Sequence, residues 1–323
     1  MRFKVLLGAT LIAAVSWTAI PTHAAFPGAN GKIAYARYPR GSAPYEEIYT
    51  VNPDGTGQTR LTHRGGLERS NVAPAVSPDG TMIAFHRYTL GTGGADDVSD
   101  IVIIEATTTP GTPATEIDSY PAPTGAFYAW PSWSPDGTYL LIVKNDDVAT
   151  LEVATGNVDK ITNNPAWESR PQWSPDGDQI TFNRESGTGF GKTLVADINS
   201  TWPFALSNFT TVTDPGFADG DAKWHPTQDK LVLSRWKSGW SGSEIFVENL
   251  ATGTQKRHTN NSVYDAMPAY SPDGDFIVYS RGPEDGDAEL IRQNVASGTK
   301  KVITSNNVVD QQADWGVQPT PVP

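Results

Sequence analysis

Four carboxylates, Glu168, Asp219, Asp265 and Asp310, recur at one fixed place in a repeating sequence. Each stands six residues ahead of a position that most often reads as the Ser of Ser-Pro-Asp-Gly. Asn71 and Tyr128 hold the same place in two further units. Carboxylates gathered at one site repel one another, and a bound cation or a basic group on a ligand relieves that repulsion. The pattern therefore predicts binding of a cation such as Ca²⁺, or of a basic ligand. Glu168, Asp219, Asp265 and Asp310 are the candidate metal ligands, and no other cofactor is required. Two residues further on comes a mixed set, Ala73, Trp130, Arg170, Asp221, Met267 and Gln312. Trp130 and Tyr128 together offer a stacking wall for a cationic or sugar ligand.

Other chemistries find little support. The chain has no Cys, and His63, His86, His225 and His258 fall at different places in different units, with no metal-ligand spacing. SGTGFGKT (186–193) has Ser where a phosphate loop needs its first Gly, and it leads into a strand rather than a helix. GWSGS (239–243) lacks the second Gly of a nucleophile elbow. PEDGDAE and ADGDAK are incomplete calcium loops. No catalytic residues are assigned, and the protein is expected not to be an enzyme.

The elements that must position these residues follow from the repeat. The segments VAPAVSPDGTMIAFHR, AWPSWSPDGTYLLIVK, SRPQWSPDGDQITFNR, DAKWHPTQDKLVLSR and AMPAYSPDGDFIVYSR align in register. Within each, Pro-Asp-Gly supplies turn chemistry: Pro presets φ, Asp bonds nearby backbone N–H groups, and Gly takes positive φ. Asp79, Asp136, Asp176 and Asp273 are thus structural. After each turn comes an alternating run with apolar residues on one face. A second strand follows, often opened by an acidic residue, and then a last strand ends in Thr. The frame recurs every 40–57 residues, close to the period of a four-stranded propeller blade, about 40–50 residues. Five units are complete. The sixth is split: GKIAYAR to TRLT lies near the N-terminus and QADWGV near the C-terminus, with Trp315 at the repeat's aromatic position. The expected fold is all-β, a six-bladed β-propeller closed when the C-terminal strand joins the N-terminal ones. In that ring the six counted-back residues would circle one mouth of the central channel.

Residues 1–24 read as a secretory signal peptide, with Arg2 and Lys4 ahead of an apolar run and small residues at the cleavage position. The propeller is placed at 25–318 and a short Pro-rich tail at 319–323. The net charge of −12 argues against nucleic acid or anionic lipid as partner. The protein is expected to be secreted, in a bacterial periplasm or outside the cell, monomeric and without an integral membrane anchor.

The P-x-W-S-P-D-G-x-x-I-x-F frame, followed by D/E-I-Y and a terminal L-T, resembles the TolB-like β-propeller repeat. It is also similar to the propellers of tricorn protease and prolyl-oligopeptidase-type peptidases. The resemblance covers nearly the whole mature chain. The first repeat strand begins at about Gly31, so the N-terminal domain of TolB has no counterpart here, nor has a hydrolase domain. The resemblance implies recognition of an envelope or extracellular protein or peptide at a channel mouth, through Asn71, Tyr128, Glu168, Asp219, Asp265, Asp310, Trp130 and Arg170. The alternative it implies is a polysaccharide lyase or hydrolase on the same scaffold.

Overall fold

The computed structural model describes residues 26–38, 45–63, 69–91, 97–109, 111–185, 191–237, 242–283 and 286–320. The proposed signal peptide, residues 186–190 of the phosphate-loop-like segment, residues 239–241 of GWSGS and the last three residues of the tail lie outside this set. The described residues form 24 strands in six four-stranded antiparallel sheets, with no helix among them. In blades 2 to 6 the strands follow chain order from the axis outwards. Their inner strands are Arg69–Val76, Tyr128–Trp133, Trp167–Trp173, Ala218–Trp224 and Tyr264–Tyr270. Blade 1 is split. Its inner strand, Val309–Val317, pairs antiparallel with Asn30–Tyr38, next to Glu47–Val51 and Thr59–Arg60.

The Ser-Pro-Asp-Gly turns are built as local side-chain chemistry demands. Ser77 Oγ donates to Asp79 Oδ1 at 2.6 Å and accepts from Met82 N, while Thr81 N donates to the same Asp79 oxygen. The same bonds recur at Asp136, Asp176 and Asp273. Gly80, Gly137, Gly177 and Gly274 all have φ between 71° and 79°, where a side chain is disfavoured. Burial pushes the Asp79 carboxyl up, but its hydrogen bonds from Ser77 and Thr81 prevail and hold it below the usual range. In blade 5 the sequence reads His225-Pro-Thr-Gln-Asp. There the imidazole Nδ1 accepts from Thr227 N at 3.1 Å. Burial, with Lys230 nearby, lowers the His225 pKa to about 4, so the ring stays a neutral acceptor.

The core lies between blades. Leu140 and Ile142 of blade 3 pack with Ile101 and Ile103 of blade 2. The alternate residue Leu141 packs with Trp173 and Phe182 of blade 4. The strands after each turn were expected to be apolar on one face. They are buried on both, because every blade has a neighbour on each side, and burial on two faces favours unbroken apolar runs such as the Leu-Leu-Ile-Val of residues 140–143.

Candidate functional site

The inner strands place three rings of side chains along the propeller axis. The first of these along the inner strands holds Asn71, Tyr128, Glu168, Asp219, Asp265 and Asp310. All six are buried, and Glu168, Asp265 and Asp310 are 0% exposed. Each faces a basic residue directly across the sheet on the second strand of its own blade. Arg37 grips Asp310 with two bonds of 2.6 and 2.8 Å, and Arg281 grips Asp265 with the same pair of distances. Arg235 holds Asp219 at 2.6 Å through both Nε and Nη2. Arg184 holds Glu168 at 2.9 and 2.7 Å. Arg87 Nε donates to Asn71 Oδ1 at 3.2 Å, and Lys144 Nζ lies 5.9 Å from the Tyr128 ring centroid.

The preceding blade supplies further partners. Thr162 Oγ1 and Asn164 Nδ2 donate to Glu168. Asn261 donates to Asp265 and Asn306 to Asp310. The threonines that end the repeats also accept from a third-strand backbone N–H, as Thr62 does from Ile48 and Thr259 from Ile245. The carboxylates are therefore joints between blades. The expected exposed acidic rim is corrected accordingly: their charge is neutralised by guanidinium groups and their oxygens are occupied. Among the described residues no group of three or more His, Asp or Glu stands close enough to hold a metal ion, so Glu168, Asp219, Asp265 and Asp310 do not converge as metal ligands. The sequence carried a signal for the missing half of the pattern: a basic residue ten positions after each turn Ser or its equivalent, Arg87, Lys144, Arg184, Arg235 and Arg281.

Blade 5 adds two carboxylates without a full set of partners, Glu244 and Glu248. Glu248 is 5% exposed, lies 3.9 Å from Arg235, and its Oε2 accepts no hydrogen bond. Burial pushes its pKa up to about 7, helped by Asp214 and Asp219 and opposed by Arg235. The folded state thus holds a proton that the unfolded chain releases near the ordinary carboxylate value. Its contribution to stability is full below that value and is lost as pH rises towards 7. Glu248→Gln is expected to flatten the stability profile between about pH 4.5 and 7 and to stabilise the protein at pH 8 by on the order of 1–3 kcal/mol. Chemical denaturation across pH checks this; parallel profiles for the two proteins would contradict it.

The second ring is Ala73, Trp130, Arg170, Asp221, Met267 and Gln312. All six have positive φ, between 49° and 56°. Each sits where the inner strand slips register against its neighbour. Such a left-handed bulge re-aims a side chain and costs roughly 1–3 kcal/mol for a residue other than Gly. Here the cost recurs in every blade, and the six side chains line one axial cavity of about 60 Å³. Arg170 Nε bonds Asp221 Oδ1 at 2.6 Å, and its guanidinium carbon lies 5.6 Å from the Trp130 ring centroid. Gln312 Oε1 accepts from Ala73 N at 2.8 Å. Phe127 and Trp167 flank Trp130 at 6.4 and 6.0 Å between ring centroids, and Trp167 is 39% exposed. Trp130 and Arg170 thus line the axial cavity, whereas the other six site residues expected from the sequence are buried and do not line it.

The third ring was not anticipated. Lys223 Nζ meets Asp314 Oδ1 at 3.0 Å, and Asp314 Oδ2 accepts from Val76 N. This ion pair joins blade 5 to blade 1 and bars the channel. Beyond it Trp133, Trp173, Trp224, Tyr270 and Trp315 close in around Phe26 at the far end.

No family model matches the chain. It is 27% identical over 199 residues to the Tol-Pal system protein TolB of Francisella tularensis subsp. mediasiatica, across 47% of this chain and 45% of that protein. The chain spans about half the length of the curated relatives it matches. Its fold resembles that of TolB from Acinetobacter baumannii, with a TM-score of 0.70 at 22% identity, over 89% of this chain and 67% of that one. An oligogalacturonate lyase from Vibrio parahaemolyticus gives a TM-score of 0.54 at 14% identity, over 88% and 79% of the two chains. The chain is similar to TolB in sequence and shares the propeller fold with both solved proteins.

Proposed function

We infer that this protein is a non-catalytic binding module whose axial mouth receives a segment of an envelope or extracellular protein. The observation that carries the reading is the ring of six left-handed residues. Strain held at the same place in six blades points to a site where the surrounding structure over-determines the backbone. The ring combines an aromatic wall, Trp130 beside Trp167, with one guanidinium, Arg170, and the apolar Met267. These residue types are enriched at the centres of protein interfaces. The likeness to a Tol-Pal system protein supports a binding or scaffold role in the envelope. The basic, then apolar N-terminal stretch supports export, and no described helix is long and apolar enough to cross a membrane.

Peptides selected from a random display library on the immobilised protein provide the test. Calorimetry is expected to show affinity falling by at least about tenfold in Trp130→Ala and in Arg170→Ala. Equal affinities in wild type and both variants would overturn the reading.

A further inference from the structure

A cleft lies at the opposite end of the strands from the mouth, between blades 3 and 4. The inner strand of blade 3 runs from the mouth at Trp130 down to the turn at Ser134, and Tyr139 begins the next strand there, directly opposite Glu152. Tyr139, Glu152, Asn157 and Asp159 of blade 3 and Trp202 of blade 4 line a cleft of about 510 Å³. That volume falls in the range of small-molecule sites, about 300–1,000 Å³.

Trp202 is 61% exposed, more than the other large apolar residues left at the described surface. It is nevertheless fixed. Its Nε1 donates to Asp159 Oδ2 of the neighbouring blade at 3.0 Å. The loop that carries it is stapled by Asn199, whose amide donates to Thr201 O and Pro203 O and whose Oδ1 accepts from Ala205 N. Phe204, two residues on, packs edge-on against Tyr139 and Trp173 at 4.9 and 5.7 Å. An indole held rigidly in water forgoes burial of a large apolar surface. The same rigidity lowers the entropy a ligand must overcome on binding.

We propose that this cleft binds a neutral or amino-bearing saccharide. The C–H face of a pyranose ring stacks on a flat indole. Vicinal hydroxyls donate to carboxylates such as Asp159 and Glu152, and they accept from an amide such as Asn157. Neither Asp159 nor Glu152 has an ion-pair partner among the described residues. The cleft therefore repels uronates and other acidic sugars. A lone ammonium group would use the carboxylates but would leave the amide and most of the volume unfilled. A sugar uses all three.

The test titrates the full protein by calorimetry with tetrasaccharides of glucose, N-acetylglucosamine, glucosamine and galacturonate, and with tetralysine. At least one of the first three is expected to bind, with galacturonate the weakest saccharide. Trp202→Ala, a change outside the core, is expected to weaken that binding at least about tenfold, while Trp130→Ala leaves it unaltered. Asp159→Asn is expected to weaken it without altering the fold, read by circular dichroism. Three results would overturn the proposal: no saccharide bound at about 10 mM, binding equal in Trp202→Ala, or tetralysine binding more tightly than every sugar. Loss of peptide binding at the mouth would leave this site untouched, so the two assignments fail separately.

Discussion

Asp219→Asn is expected to lower the stability of the protein by about 3–5 kcal/mol, the cost of leaving a buried charge without its partner. Arg235 and Asp219 side chains are both 0% exposed and share two bonds of 2.6 Å. The guanidinium lies over the rings of Phe217 and Phe246, at 5.4 and 5.2 Å, so water cannot replace the lost carboxylate. Asp147→Asn is the contrast. Its partner Lys160 has a side chain 35% exposed, and the expected loss is at most about 1 kcal/mol. Denaturant midpoints measure both. A local signature accompanies the first. With Asp219 neutral, Glu248 and Asp214, each 3.9 Å from Arg235, become its nearest carboxylates, and the Glu248 pKa falls from about 7 towards the ordinary range. Millimolar Ca²⁺ should leave the wild-type midpoint unchanged. A rise on adding Ca²⁺ that disappears in Asp219→Asn would restore the cation-binding view of this ring.

Removing residues 309–323 is expected to abolish cooperative folding. The segment supplies the inner strand of blade 1, and with it Ala313 and Trp315, each 3% exposed. Trp315 Nε1 donates to Gly31 O at 3.1 Å across the closure. Loss of Asp310 leaves Arg37 beside the aromatic rings of Tyr35 and Tyr49 with its main counter-ion gone. Lys223 and Ala73 also lose partners, in blades 5 and 2. The strand Asn30–Tyr38 becomes a bare edge, open to pairing with another chain. Together these losses exceed about 5 kcal/mol, the lower end of the net stability of a typical domain. Calorimetry and sedimentation are expected to show no sharp melting transition and a shift to oligomers. A monomeric truncated chain with the full-length melting temperature would contradict the closure described here.

The register of the six blades was legible because it rests on local turn chemistry. Ser77, Asp79 and Gly80 need only each other and the start of the next strand, so the six residues 77–82 carry the whole signal. The split blade was legible for a similar reason, since Trp315 repeats the aromatic position of Trp133 and Trp173. The carboxylate ring was found by counting from the turns, but its meaning was not. A carboxylate six residues before the turn reads as a free charge until the arginine ten residues after it is placed across the sheet. The left-handed ring was harder still. Ala73, Trp130, Arg170, Asp221, Met267 and Gln312 share a backbone conformation and no side-chain type, and the sign of φ leaves no trace in residues that are not Gly. Lys223 and Asp314 are 91 positions apart, and only closure of the ring brings them together.

In the proposed function the left-handed ring, and not the buried carboxylate ring, meets the partner. The absence of cysteine allows single-site labelling. Met267→Cys and, on an exposed outer turn, Ser297→Cys can each carry a benzophenone maleimide and be photolysed with a display-selected peptide. A cross-link from position 267 that excess unlabelled peptide abolishes, with none from position 297, is the result predicted. Cross-linking from position 297 alone would contradict it.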